Sequence, residues 1–311
     1  MVNAAGFNRK WGRTQRVGQA WDVLALVSGP LFASAGQSAV QSAVQSAGQS
    51  AGQSAASATA PSPDWRLAAV LLVLVALAVT ASYVGRLDVE RNHLTASARA
   101  VVQLAVVSLV ITAALGSVWW SLAFALLMFS VASWTSAGRI QVPRDQVVWV
   151  GAAIAAGVVP VLALILGSGI VPFNGAGIVP TAGIVIGGGM TAATLTGRRA
   201  YDEITGGFGS YEAGLALGME SPDAAFEVIQ PTAKEALTPG LDQTRTVGLV
   251  TLPGAFIGVL LGGGTPLEAG AAQIMVLIGL MAAQAITAAV LLRLIAGARV
   301  VRKDLQDAYP R

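Results

Sequence analysis

Seven apolar segments of membrane-spanning length dominate the chain from residue 67 onward, and short polar joints separate them. Each has at least the roughly 17–25 residues that a helix needs to cross the hydrocarbon layer of a bilayer, and the last of them extends beyond that layer. Inside lipid every backbone polar group must be paired within the protein, so these segments are predicted to be helices. The predicted spans are 67–84, 97–116, 118–137, 147–166, 177–197, 244–262 and 269–296.

The composition points to the same class of protein. Hydrophobic residues make up 54% of the 311 residues and charged residues only 11%, whereas a soluble domain carries about 25% charged residues. We therefore predict an all-α, polytopic helical bundle in the lipid bilayer, with about seven transmembrane helices. Its transmembrane domain is expected to cover residues 67–300.

The distribution of lysine and arginine predicts the orientation of the bundle. The joints near 86–99, 139–144, 198–245 and 293–311 are basic, whereas the joints near 116, 167–176 and 262–268 hold no Lys or Arg. Basic joints face the cytoplasm in multi-pass proteins. We expect a plasma (inner) membrane protein with its N-terminus outside and residues 301–311 as a cytoplasmic tail.

Residues 1–66 differ from the rest of the chain. Four basic residues precede a short apolar run and Ala33-Ser34-Ala35, the layout of a secretory signal peptide. A repeat of small polar residues follows over 37–56 and is predicted to be a flexible linker. A disordered tail and an over-long predicted start are the alternatives for this low-complexity region.

A polar, alanine-rich insert over residues 198–240 separates the fifth and sixth predicted spans. Ser210 is predicted to cap a helix that begins at Tyr211, and Gly218 to end it with a left-handed turn. Ser221 is predicted to cap a second helix that stops at Pro231. The expected structure is therefore a helical hairpin on the cytoplasmic side.

The spacing within this insert resembles the EAA loop of ABC-transporter permeases. Glu212-Ala213 is followed by Gly218 and then by Pro231 at the interval of that motif, although Gly214 and Gln230 depart from it. The resemblance implies that Glu212, Ala213, Gly218 and Pro231 couple the chain to a separate cytoplasmic ABC ATPase. The alternative is an amphipathic hairpin that rests on the membrane surface.

Two further stretches carry a narrower resemblance. Pro180 to Gly187 and Thr246 to Gly254 are similar to signature segments of the FetB-type permease family, whose members pair with an ATPase. That resemblance implies export of iron or another metal, and a relation to plant permeases of aluminium tolerance. The chain departs from the family pattern at Gly188 and Thr191, which puts the inherited substrate in doubt.

Few side chains suit direct contact with a substrate. The predicted spans hold no Asp or Glu away from their ends, the one histidine is His93 in a joint, and there is no cysteine, so the metal ligands stay unknown. The residues considered for a substrate pathway or a hinge are Gln103, Met190, Thr191, Pro253, Gly254 and Gly258. Helix packing is the alternative role for each of them.

No phosphate-binding G-x-x-x-x-G-K-[ST] motif occurs in the chain. We therefore expect no enzymatic activity and no cofactor bound by this chain, with ATP and Mg bound by the partner subunit. Nothing indicates nucleic-acid binding. The resemblance implies that the chain is a permease subunit of an ABC transporter and that it acts as a homodimer. The alternatives are a permease for another small solute or an envelope precursor, and a non-transporting membrane scaffold of a stress response.

Overall fold

The computed structural model describes residues 64–305, apart from the side chain of Ala114, and this part of the chain is helical. The predicted signal-like start and linker lie outside the described residues, as do residues 306–311, and Trp65 already belongs to the first helix. The helices are α1 Trp65–Val84, α2 Glu90–Leu115, α3 Val118–Ile140, α4 Val147–Gly167, α5 Gly175–Gly206, α6 Phe208–Ala216, α7 Ser221–Ile229, α8 Thr232–Thr246, α9 Gly254–Leu261 and α10 Pro266–Ala296.

Six of these helices, α1 to α5 and α10, are long and apolar enough to cross a membrane. The prediction of a polytopic helical bundle is thus confirmed. The prediction of a continuous helical span over 244–262 is wrong. Helix α8 ends at Thr246, and α9 has only 8 residues, which correspond to about 12 Å of helix. Gly248 between them has a φ of +81°, and Pro253 supplies no backbone donor.

Helix α5 is the centre of the bundle. It packs against α2, α3, α4, α7 and α8, and its 32 residues give it a length of about 48 Å. More than half of the residues in the most apolar stretch of α5 are buried, whereas the corresponding stretches of α1 and α2 are almost entirely exposed. The α1–α2 pair therefore presents its leucines and valines to lipid at the edge of the bundle.

Polar side chains join the core helices α3 and α5 where their backbones come close. Ser136 Oγ donates to the carbonyl of Met190 over 3.0 Å, and it lies 3.1 Å from Thr194 Oγ1. Both hydroxyls are buried. In hydrocarbon an unpaired hydroxyl is costly, so these bonds fix the register of α3 on α5.

The described chain falls into two compact units, residues 64–256 with 269–305, and residues 257–268. The smaller unit contains the end of α9 and the first turn of α10. Within it Gly264 N–H donates to the Val259 carbonyl over 2.9 Å. Glu268 accepts from the backbone and hydroxyl of Thr265, at 2.8 and 2.9 Å, in the manner of a capping box.

Candidate functional site

The two short helices α6 and α7 form the hairpin that the sequence predicts. Helix α6 begins at Phe208 rather than Tyr211, so the predicted cap at Ser210 is wrong. Because α5 continues to Gly206, only Gly207 separates it from α6. The hairpin is therefore attached directly to the central helix of the bundle.

Gly218 forms the turn of the hairpin, and its predicted left-handed conformation is confirmed by a φ of +88°. Gly218 N–H donates to the Leu215 carbonyl over 2.9 Å, and Met219 N–H donates to the Gly214 carbonyl over 3.1 Å. This pair of bonds is a Schellman motif, in which glycine avoids the steric cost of the left-handed region.

Helix α7 begins one residue before its expected start. Its N-cap is Glu220, and Ser221 is already helical, so the predicted cap at Ser221 is wrong. Ser221 Oγ instead lies 2.9 Å from the Tyr211 hydroxyl and joins the two helices. Pro222 occupies the first turn, where its missing donor costs nothing.

The hairpin has a buried face and an exposed face. Tyr211, Gly214 and Ala224 are buried between the helices and α5. Glu212 and Ala213 are exposed, and Leu217 at the turn is 85% exposed. Two of the four residues assigned to ATPase coupling thus lie on a free face, while Gly218 shapes the turn and Pro231 separates α7 from α8.

The hairpin also contacts the last long helix. The guanidinium carbon of Arg293 in α10 lies 3.7 Å from the centroid of the Phe226 ring in α7, a cation–π contact. Helix α7 packs against α5 as well. A displacement of α7 would therefore act on both α5 and α10.

Residues 297–305, which we name the C-terminal strap, close the same end of the bundle. The Tyr201 hydroxyl of α5 donates to the Val300 carbonyl. Val301 N–H donates to Oε1 of the buried Gln146 over 2.7 Å. The strap therefore ties the ends of α4 and α5 together, and the predicted tail over 301–311 is docked as far as residue 305.

Arg302 fixes the strap electrostatically. Its guanidinium donates to both carboxylate oxygens of Asp304, at 2.7 and 2.8 Å, and lies 3.6 Å from Asp202 of α5. The hydrogen bonds from Arg302 lower the pKa of Asp304 below its ordinary value. The stabilisation is thus present above the ordinary aspartate pKa and is lost as the pH falls through the lowered one.

The residues considered for a pathway or a hinge belong to several elements of the structure. Gln103 is exposed on α2, Met190 packs half-buried against the core, and the Thr191 hydroxyl donates to the Gly187 carbonyl of its own helix. Pro253 precedes α9, and a side chain added at Gly254 would meet nothing within 4 Å. Gly258 belongs to the smaller unit and is equally open.

Metal ligands of the usual kinds do not cluster in the part of the chain that the structure describes. No group of three or more His, Cys, Asp or Glu side chains is close enough there to hold an ion. The sequence left the metal ligands unknown, and no such cluster within residues 64–305 identifies them.

Helix α8 was not predicted from the sequence. It packs against α5, and its Arg199–Glu235 ion pair spans 3.6 Å. Small or apolar residues recur at helical spacing over Ala233, Ala236 and Gly240. This spacing in the sequence is enough to indicate a helix. The helix was not predicted because Pro239 and the charged residues between these positions are, taken alone, typical of a loop.

Comparison with known proteins gives a family and several relatives. Residues 65–299 match the model of the uncharacterised protein family UPF0014. The chain is 35% identical to UPF0014 membrane protein STAR2 of Oryza sativa subsp. japonica, over 69% of this chain and 76% of that protein. It is 34% identical to the protein ALUMINUM SENSITIVE 3 of Arabidopsis thaliana, over 67% and 77%.

A bacterial relative carries a functional name. The chain is 28% identical to the probable iron export permease protein FetB of Escherichia coli (strain K12), over 67% of this chain and 81% of that protein. No solved structure matches the chain. The resemblance to FetB-type permeases is thereby confirmed, and the chain belongs to the UPF0014 family of multi-pass membrane proteins.

Proposed function

We propose that this chain is the permease subunit of an ABC transporter and that the α6–α7 hairpin receives the force of a partner ATPase. The observation that carries the proposal is a hairpin with an exposed face, attached to α5 through Gly207 alone and held on α10 by Arg293. Closure of the ATPase would displace α7, and the two contacts would pass that movement to the bundle.

The orientation of the proposed transporter follows from charge. The end of the bundle that carries the hairpin also carries Arg198, Arg293 and Arg299, and such basic segments face the cytoplasm. A cytoplasmic ATPase would then reach the hairpin directly. ATP and Mg would be bound by that subunit, and two copies of the permease would assemble with two ATPase subunits in the plasma membrane.

Metal export is the proposed activity. It is supported by the name of the FetB relative, a probable iron export permease, and by the name of the Arabidopsis relative, which refers to aluminium sensitivity. Both names concern a metal, iron in one and aluminium in the other. The substrate proposed here is therefore a metal cation such as iron.

Leu217→Asp provides the test of the coupling role. Loss of one anchoring leucine costs an interface roughly 1.5–3 kcal/mol, and about 1.4 kcal/mol corresponds to a tenfold change in affinity. We therefore expect Leu217→Asp to lower retention of the partner ABC ATPase, which is sought among the genes next to that of the permease, by at least about tenfold. The measurement is co-purification of the two subunits from detergent-solubilised membranes.

Ile170→Asp is the matched control, because Ile170 is 72% exposed in the joint at the other end of α5. It is expected to retain the ATPase. Equal retention by both variants would contradict the coupling role. If the unmodified chain retains no ATPase, a non-transporting scaffold becomes the better explanation. ATPase activity of the reconstituted pair that does not respond to iron or aluminium would instead favour a permease for another solute.

A further inference from the structure

Helix α8 lies beside the membrane-spanning helices rather than beyond their ends. Its Gly240 abuts Gln284 of α10, and a Cβ added at Gly240 would overlap that amide side chain. A Cβ added at Gly188 of α5 would lie 3.4 Å from the Nε2 atom of the same glutamine. Gly240, Gln284 and Gly188 therefore share one level of the bundle.

That level is close to the middle of the bilayer. Gly188 stands 10 positions before Arg198 and 13 positions after Gly175, the first residue of α5. At 1.5 Å per residue these intervals correspond to about 15 and 20 Å, and the hydrocarbon layer is about 30 Å thick. The C-terminal half of α8 is thus at membrane depth.

Polar and charged side chains follow Gly240 at this depth. Asp242, Gln243 and Arg245 are exposed on the surface of the protomer. Arg245 Nη1 donates to Asp242 Oδ1 over 3.1 Å, and the two side chains are 72% and 56% exposed. The buried face of α8 is formed instead by Ala236 and Gly240.

The backbone after α8 is irregular and also lies at membrane depth. Residues 247–253 turn rather than continue the helix, and Leu249 is 91% exposed. Phe256 N–H then donates to Gln273 Oε1 over 3.3 Å. Gln273 lies 11 positions from Gln284 along α10, about 16 Å farther from the basic end, so the irregular segment crosses the other half of the bilayer.

Exposed charges and irregular backbone at this depth are not compatible with lipid contact. Ionisable groups in membranes face the bundle interior or water, and non-helical backbone lines a cavity or is buried in protein. We propose that the exposed face of α8, with residues 247–253, lines an aqueous pathway through the bilayer. In this pathway Asp242 binds a passing hard cation, and Arg245 is the counter-ion of that carboxylate when no cation is bound.

The choice of cation follows from the ligands available. The groups on this face are the Asp242 carboxylate, the Gln243 amide and the backbone carbonyls of residues 247–253, all of them oxygen donors. Oxygen donors select hard cations over soft ones. The cation-binding part of the inference rests on the proposed transport function, whereas the aqueous lining depends only on the position of α8.

The absence of native cysteine permits a direct test, since the 311 residues contain none. Single cysteines are introduced at Thr238 and Gln243 on the exposed face of α8. The controls are Ile278→Cys and Ile286→Cys, apolar exposed positions of α10 on either side of Gln284. The full-length permease, reconstituted in phosphatidylcholine vesicles without ATPase, is treated on both sides with a charged methanethiosulfonate.

Thr238→Cys and Gln243→Cys are expected to react at least about tenfold faster than the two controls, because only the thiolate reacts and an apolar environment suppresses its formation. Reaction of α8 cysteines as slow as that of the controls would overturn the aqueous lining. Rapid reaction of Ile286→Cys would overturn it too, since that level would then lie outside the hydrocarbon.

The cation-binding role is tested with Tb³⁺ as the probe. Tb³⁺ is expected to slow modification of Thr238→Cys severalfold, because position 238 neighbours Asp242 one turn along the helix, and Asp242→Asn in the same chain is expected to abolish that protection. Glu235→Gln, a carboxylate change elsewhere on α8, serves as the control and should preserve it. Protection that is absent, or that survives Asp242→Asn, would overturn the role of Asp242.

These outcomes are separable from those of the coupling test. Reactive α8 cysteines in a permease that retains no ATPase would leave the pathway intact and remove the ABC function. Unreactive cysteines in a permease that retains its ATPase would do the reverse.

Discussion

Individual glycines set how closely the core helices approach one another. Gly157 of α4 lies directly against the Ala283 carbonyl and the Thr287 hydroxyl of α10, and Gly188 of α5 lies against Leu280. The glycines between Gly183 and Gly189 are alike in the sequence, which does not distinguish the positions in contact. Gly187, in the middle of that run, has no atom within 4 Å of an added Cβ.

The contrast between Gly157 and Gly187 leads to a prediction at this scale. Gly157→Ala forces a methyl group against a backbone carbonyl that cannot rotate away, so we expect destabilisation of about 1–3 kcal/mol. Gly187→Ala adds a methyl group in open space and improves helix propensity, so its effect should be neutral or stabilising by roughly 0.5–1 kcal/mol. Reversible unfolding of both variants in mixed micelles measures the difference. Equal effects would contradict the contact of α4 with α10.

Among the elements, the hairpin was predicted from the sequence, whereas α8 and the docked strap were not. Gly218 indicated the turn because helices commonly end with a glycine in the left-handed conformation, which Gly218 adopts. Pro231 indicated the end of α7. The cap at Ser210 was misplaced because α5 runs on to Gly206 and α6 already begins at Phe208. The docking of the strap depends on Gln146 and Val301, which are 155 positions apart.

Removal of the Gln146 side chain tests the strap. Gln146→Ala leaves the buried Val301 N–H without its acceptor, and an unsatisfied buried donor costs about 1–3 kcal/mol. We expect faster hydrogen exchange of the Val301 amide and a lower unfolding midpoint. Gln230→Ala is the control, because Gln230 is exposed. Unchanged exchange at Val301 in Gln146→Ala would show that the strap is held by other contacts alone.

Over the whole molecule, the ends of α5 define two opposite sides of the membrane. Ile170 lies in the joint before α5, and Leu217 lies in the hairpin after it. The basic residues near the hairpin predict that Leu217 faces the cytoplasm and that Ile170 faces the exterior. This orientation is required if a cytoplasmic ATPase is to reach the hairpin.

Single cysteines at the two positions test the orientation. An impermeant thiol reagent added to intact cells should label Ile170→Cys and leave Leu217→Cys unlabelled. In inverted membrane vesicles the pattern should be reversed, because only the exposed thiol on the accessible side reacts. Labelling of Leu217→Cys in intact cells would contradict the proposed orientation and, with it, docking of a cytoplasmic ATPase.

The sequence by itself determined the fold class, six of the crossings and the hairpin, because these depend on local length, hydropathy and turn chemistry. Only the tertiary structure decided which helices residues 232–262 form and where their charged residues lie. Their average composition suggested a polar loop followed by one span, yet Gly240 packs on Gln284 and brings Asp242 and Arg245 to membrane depth. The depth of a residue is set by the helices against which it packs, and hydropathy along the chain does not contain that information.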